Sequence, residues 1–440
     1  MPISSMSLLN AIGASRYPRE SGDPATSGPC EAKTLDAGLT GDAPVECRGH
    51  EGLAAVSASR GSALSRWVLG LMFAACASTP AAEPPSDWFK RLEENRPLAT
   101  FHGVRQMPGM EQVAAQVGVF VGDEAASCAL FGRSAFPEGV EYRDALDAIA
   151  KAASGRRVVM LNESHFRSVH RAFLLRVIER LHDEGFDALA AEALHRHAPA
   201  QLQSGRVDVT TGFYTHDPVF AAALRRAQSL GWDLVHSEAM GDGDRVARES
   251  GQARNLAEWL ERNPDRRLLV YAGGSHISKV AEDGWMAARF IADTGIEPLT
   301  IQQAATACPD TADAWPVQSA VAQVVFQHDA PVLGSGDADL VVLHPPAAVD
   351  AARSVLGVPM PICVPSSERE SLLRAFAPDD QDGAIPRDQV RIPAGVRTAS
   401  LWLSPGRYRI ERERLDGRQT LGDVTAVSGS VEGCLTPVDD

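Results

Sequence analysis

Between Gly155 and Gln303 the chain switches repeatedly between two kinds of segment. RRVVMLN, FDALAAEA, WDLVHSEA, RRLLVYAGG and EPLTIQQ are short and apolar almost throughout. Between them lie longer stretches whose apolar residues return every three to four positions. VHRAFLLRVIERLHDEG places Val169, Phe173, Leu174, Val177, Ile178 and Leu181 on one helical face, with Gly185 as its stop. DPVFAAALRRAQSLG has Pro218 near its start and Gly231 at its end; DRVARESGQARNLAEWLERNP breaks before Pro264; WMAARFIADTG ends at Gly295. A strand that is apolar on both faces needs covering on both faces. The alternation therefore predicts an α/β fold with a mostly parallel central sheet flanked by helices.

Outside that stretch the pattern changes. YRDALDAIAKAAS, from Tyr142, is expected to be helical, and the rest of 98–155 is unassigned. VAQVVFQ and ADLVVLHPP add two strands at the edge of the sheet. The tail VRTASLWLSPGRYRIERERLDGRQ has turn signals at Pro405-Gly406 and Asp416-Gly417, which predict a small C-terminal antiparallel β appendage.

The expected organisation has four parts. Residues 1–60 are rich in small and polar residues and read as a disordered or misassigned leader. Residues 61–85 read as an export segment: Arg60 and Arg66 precede an apolar run from Trp67 to Ala75, then small residues and Pro. That run is well short of the ~20 residues of a membrane span. FAAC, ending at Cys76, resembles a lipoprotein box with Phe73 where Leu is usual. The chain is thus expected outside the cytoplasm, periplasmic or held at a membrane by a lipid on Cys76. Residues 86–345 form the α/β domain, with its core at 155–303, and 346–440 a linker and small β-rich region.

Beyond the leader and Cys76, the cysteines are Cys128, Cys308, Cys363 and Cys434. Export permits two disulfides, and Cys363–Cys434 is the expected C-terminal pair. The formal net charge of -15 argues against nucleic acid as a partner and leaves a small molecule.

Acids and imidazoles gather where the strands end. The first delivers Glu163 and His165, the second Glu192, the third Glu238, and the fourth runs through Gly273-Gly274 to His276. In a parallel sheet the carboxyl ends share one edge, where ligands bind. Taken singly, each has a structural explanation, such as a helix cap or an ion pair. Their coincidence at four strand ends points to a site, because burying so many polar groups is costly. His195, His197 and His216 sit on loops and need no role. Glu163 and His165 are two apart and would face the same way in an extended chain. Two chemistries stay open. Glu163, His165, Glu192 and His276 form a mixed N/O set suited to a divalent transition metal. Without metal, His165 or His276 would be a general base oriented by a carboxylate. Arg248 would clamp a carboxylate or an oxyanion. No G-x-S-x-G, P-loop, H-E-x-x-H or G-x-G-x-x-G occurs.

NESHFRSVHRAFLLRVIERLHDEGFDALAAEA, RESGQARNLAEWL and LLVYAGGSHISK together resemble the motifs of the erythromycin esterase-like, ChaN-like and Tiki/TraB superfamily. The resemblance covers about Gly155 to Gln303 and implies Glu163, His165, Glu192, Arg248 and His276 as motif positions. Glu238 is similar to an acid found in some members. Asn162 stands where Gly is usual, so its side chain is expected to narrow the site or change its substrate. The resemblance implies an exported hydrolase of an ester or amide bond. The alternative it implies is a haem- or small-ligand-binding lipoprotein without turnover, with Tyr214 and Tyr271 as haem-facing phenols. A third is a degenerate member kept for interaction.

Overall fold

The computed structural model describes residues 87–124, 138–192, 194–239, 244–304, 321–345, 352–429 and 432–438. The expectations for the leader, the export segment with Cys76, and Cys128 and Cys308 fall outside these residues.

The main sheet is built from β1 (Glu141–Asp144), β2 (Val158–Glu163), β3 (Ala188–Ala191), β4 (Asp233–Val235), β5 (Leu268–Gly273), β6 (Leu299–Gln303), β7 (Gln323–Gln327), β8 (Ala330–Pro331) and β9 (Leu340–Leu343). Its order is β1-β7-β9-β6-β2-β5-β3-β4, with β8 paired to β7. From β9 to β4 every pairing is parallel; β1, β7 and β8 add an antiparallel edge. The central strands β2, β3 and β5 are buried at every position. Helices cover both faces, as the apolar strands require. Val159, Leu161, Leu189 and Leu269 belong to one core with helix residues Leu174 and Phe220. Met160, Ala190 and Val270 belong to the other with Leu256 and Phe290.

The helices are α1 (Asp87–Glu93), α2 (Pro97–Arg105), α3 (Glu111–Phe120), α4 (Ala145–Ala153), α5 (Ser168–Asp183), α6 (Ala198–Gln203), α7 (Pro218–Ser229), α8 (Arg245–Arg262) and α9 (Met286–Thr294). Gly295 closes α9 at φ 68°, a left-handed conformation that only glycine adopts without strain. YRDALDAIAKAAS is helical only from Ala145. Tyr142 to Asp144 pair with β7 instead, and the Asp144 side chain caps the helix by accepting from Asp147 N.

After 352 the chain forms two small antiparallel sheets. β10 (Val358–Cys363) pairs with β13 (Thr398–Leu403). β11 (Ser371–Phe376), β12 (Asp388–Ile392), β14 (Gly406–Arg414) and β15 (Gly417–Ala426) form the other, in the order β12-β11-β14-β15. Asp416-Gly417 turns β14 into β15 as expected, whereas Pro405-Gly406 joins strands of different sheets. A disulfide joins Cys363 to Cys434, the expected C-terminal pair. Among the described residues no helix is long and apolar enough to cross a membrane.

Candidate active site

The strands that deliver the acids and imidazoles are neighbours in the sheet: β2, β5, β3 and β4. Their carboxyl ends bring Glu163, His165, Glu192, Glu238 and His276 together, and Arg248 from α8 joins them into one continuous network; all but Arg248 are buried. Buried His and Glu side chains thus form a cluster at this edge of the sheet that could serve as a catalytic centre.

The β2 end is organised by Glu163. Its Oε1 lies 2.7 Å from His165 Nδ1. Its Oε2 accepts from Arg171 Nε at 3.0 Å and from the Tyr271 hydroxyl at 2.9 Å. Arg171, on α5, is fully buried and also donates to Asp217 Oδ2 at 2.9 Å. Burial alone would raise the Glu163 carboxyl. The Arg171 guanidinium and the His165 hydrogen bond outweigh it and hold the acid at about 2. The Tyr214 ring stacks on the His165 imidazole, with centroids 4.3 Å apart and planes 11° apart. His165 Nε2 points towards Glu192, 3.8 Å from its Oε2.

The other end is organised by Glu192. Its Oε2 accepts from Gly273 N at 2.5 Å, and its Oε1 from Arg248 Nη2 at 2.8 Å. Arg248 also grips Glu238 through Nε and Nη2, at 3.0 and 2.9 Å. His276 sits between two acids: Nδ1 is 2.9 Å from Glu249 Oε2, and Nε2 is 3.4 Å from Glu192 Oε1. Burial disfavours a charged ring, and Arg248 Nη1 lies only 3.3 Å from Nε2. Glu192 and Glu249 together outweigh these effects and lift the imidazole to about 10. The two acids thus favour the protonated ring. The Glu192 carboxyl, despite its burial, is held well below the usual range by His276, His165 and Arg248.

Gly273 is needed where it stands. A Cβ there would come within 2.5 Å of His165 Nε2 and 3.0 Å of Glu192 Oε2. The glycine was expected to let backbone approach a ligand. It lets the end of β5 lie against the two site residues instead.

The geometry bears on several other expectations. Among the described residues no group of three or more His, Cys, Asp or Glu is arranged to hold a metal ion. Glu163, His165, Glu192 and His276 do adjoin, but their donors do not fit a metal. Both oxygens of Glu163 and of Glu192 are engaged by protein cations, hydroxyl or amide groups. Arg248 clamps carboxylates of its own chain, Glu192 and Glu238. Asn162 does not narrow the site: its Oδ1 accepts from Gln303 N, which ties β2 to β6. Tyr271 donates to Glu163 and Tyr214 is buried against His165, so both phenols are packed into the cluster. His195 bonds Thr210 O, and His216 packs between Phe213 O and Leu92 O.

Two functional neighbours were missed. Arg171 falls in the apolar stripe with Leu174, Leu175 and Ile178, and Glu249 in the stripe with Gln252, Ala253, Leu256 and Leu260. A charge on the buried face of a helix is the signal that marks both.

No protein-family model and no curated protein matches the chain. Solved structures similar to it include the type III effector HopBA1, with a TM-score of 0.34 and 14% identity over 48% of this chain and 99% of that one. The RRSP effector domain of a Vibrio vulnificus MARTX toxin matches with a TM-score of 0.28 and 12% identity over 50% of this chain and 46% of that one. Haem-binding ChaN of Campylobacter jejuni matches with a TM-score of 0.25 and 10% identity over 45% of this chain and 91% of that one. These are weak, partial likenesses, and no function is drawn from them.

Proposed function

We propose that the protein is an exported hydrolase of an ester or amide bond in which His165, oriented by Glu163, is the general base. The 2.7 Å contact between Glu163 Oε1 and His165 Nδ1 carries this reading. A carboxylate at Nδ1 keeps the proton there and leaves Nε2 as the basic atom. The same carboxylate is fixed by Arg171 and Tyr271, and the ring by Tyr214. This is the order of support found wherever an acid orients an imidazole for catalysis.

A water beside Nε2 gives it a proton as the water oxygen bonds to the carbonyl carbon. The bond from that carbon to the leaving group then breaks, and the departing oxygen or nitrogen takes a proton from His276. The products are a carboxylic acid and an alcohol or amine. His165 returns its proton to solvent and His276 regains one. Arg248 keeps Glu192 and Glu238 paired close to this centre. The resemblance to the erythromycin esterase-like, ChaN-like and Tiki/TraB superfamily supports the same residues. Export belongs to the proposal, with a lipid on Cys76 as a tether. It is supported by the apolar run from Trp67 to Ala75 and by the Cys363–Cys434 bridge, since disulfides persist in oxidising compartments.

The test is a panel of aryl and alkyl esters and amides offered to the wild type, Glu163→Gln and His165→Ala. Substrates cleaved by the wild type should lose rate by about a hundred- to ten-thousand-fold in either variant. Equal rates in all three proteins would overturn the assignment.

A further inference from the structure

We propose that Glu249 is a positioning residue: it ties down His276 Nδ1 so that Nε2 alone is offered to the reacting bond as a proton donor. The inference rests on the hydrolase reading above, but its geometry stands apart from it.

Glu249 is 1% exposed, on the buried face of α8. Its Oε2 accepts two hydrogen bonds, from His276 Nδ1 and from Met286 N, each at 2.9 Å. Met286 opens α9, and the N-cap residue, Trp285, supplies no side-chain cap. Glu249 therefore caps that helix from outside it. A carboxylate anchored to a helix end cannot follow a turning ring; the ring must follow the carboxylate. Trp285 stands edge-on to the imidazole, with centroids 5.7 Å apart and planes at 77°. Its other contact is the Arg245 guanidinium, 4.5 Å from the ring centroid.

The remaining oxygen, Glu249 Oε1, is buried without a hydrogen-bond partner. An unsatisfied buried carboxylate oxygen is costly and needs a compensating charge. A protonated His276, bonded to the other oxygen, would supply it. The groups facing that ring are Glu249 and Arg248 from α8 and Glu192 from β3, with Glu238 behind Arg248. With Nδ1 held on one side, Nε2 is directed to Glu192 and the cluster. A fixed donor spares the transition state the cost of orienting it. A ring free to flip would present either nitrogen.

The test compares the intact protein with Glu249→Gln and Glu249→Asp. Gln keeps an acceptor and removes the charge; Asp keeps the charge on a shorter arm. Imidazole nitrogen NMR reads His276 directly, with His276→Ala to assign its signals. In the wild type both ring nitrogens should carry protons at pH 8, and the ring should titrate near 10. In Glu249→Gln the midpoint should fall by more than one pH unit. On any substrate cleaved, kcat should drop about 10- to 100-fold with KM little changed, the part of an acid–base contribution that orientation supplies. Asp should recover part of both. A His276 titration and kcat unchanged in Glu249→Gln, even with a lower melting temperature, would overturn the proposal. If the wild type cleaves nothing, the hydrolase reading fails, while the NMR comparison still decides whether Glu249 fixes the ring.

Discussion

Glu163, Arg171 and His165 at the end of β2, and Glu192, Arg248 and His276 across β3 and β5, are the same three residue types assembled twice. In the first set the guanidinium is fully buried and shared with Asp217. In the second its side chain keeps 14% exposure and is shared with Glu238. His165 has one carboxylate within hydrogen-bonding distance, and that acid is already held by Arg171 and Tyr271. His276 lies between Glu192 and Glu249. Both rings are buried to a similar degree. What separates them is how close Glu192, the acid they share, stands: 3.4 Å from His276 Nε2 and 3.8 Å from His165 Nε2.

Removing each arginine breaks the comparison most sharply. Arg171→Ala leaves Glu163 and Asp217 facing each other without a cation, and should cost about 3–5 kcal/mol in urea unfolding. Arg248→Ala removes a cation that water already reaches, so the loss should be nearer about 1–3 kcal/mol. Equal losses would mean the two ends are not built differently. Reduction of the disulfide is the control from outside the site. Cys363→Ser should lower stability by about 2–4 kcal/mol, from the loop it closes, and leave the NMR signals of His165 and His276 in place.

Gly273→Ala probes where the two ends meet. Its Cβ would strike the His165 ring, so overpacking of about 1–3 kcal/mol should appear together with loss of hydrolysis. Loss of stability with full activity would remove Gly273 from the account. The pH dependence probes both ends at once. Glu163 is lowered on folding from 4.5 to about 2, so its stabilisation is present above about 4.5 and fades as pH falls towards 2. His276 is raised from 6.5 to about 10, so its contribution is complete below about 6.5 and fades as pH rises through 10. Urea midpoints at pH 3, 7 and 10 should be highest at 7, and His276→Ala should flatten only the alkaline side.

The five residues at the strand ends were legible because a parallel sheet puts all its carboxyl ends on one edge; Arg248 lies on a helix, and the motif RESGQARNLAEWL marked it. Arg171 and Glu249 were not, because helical period marks a buried face without saying what a charge on that face is paired with. VPMPIC hid β10: Pro359 and Pro361 argue against a strand, yet β10 sits in a two-stranded sheet with β13, with only a bridge to Leu435 on its other side, and proline is tolerated at an edge. Glu111–Phe120 hid α3 for a different reason. Eight of its ten residues are buried, so it carries no polar face to reveal a period. The tail also reaches the site in a way no local pattern signals. Gln389 of β12 donates to His216 O, in the turn that holds Tyr214 against His165.

The most direct test of the account is hydrolysis by chelator-dialysed wild type and His165→Ala, on one ester that the wild type cleaves. The account predicts that the wild type keeps its rate after dialysis and that His165→Ala loses about a hundred-fold or more. A wild type that loses its rate to the chelator and regains it with a divalent transition metal, or a His165→Ala that cleaves at the wild-type rate, would contradict it.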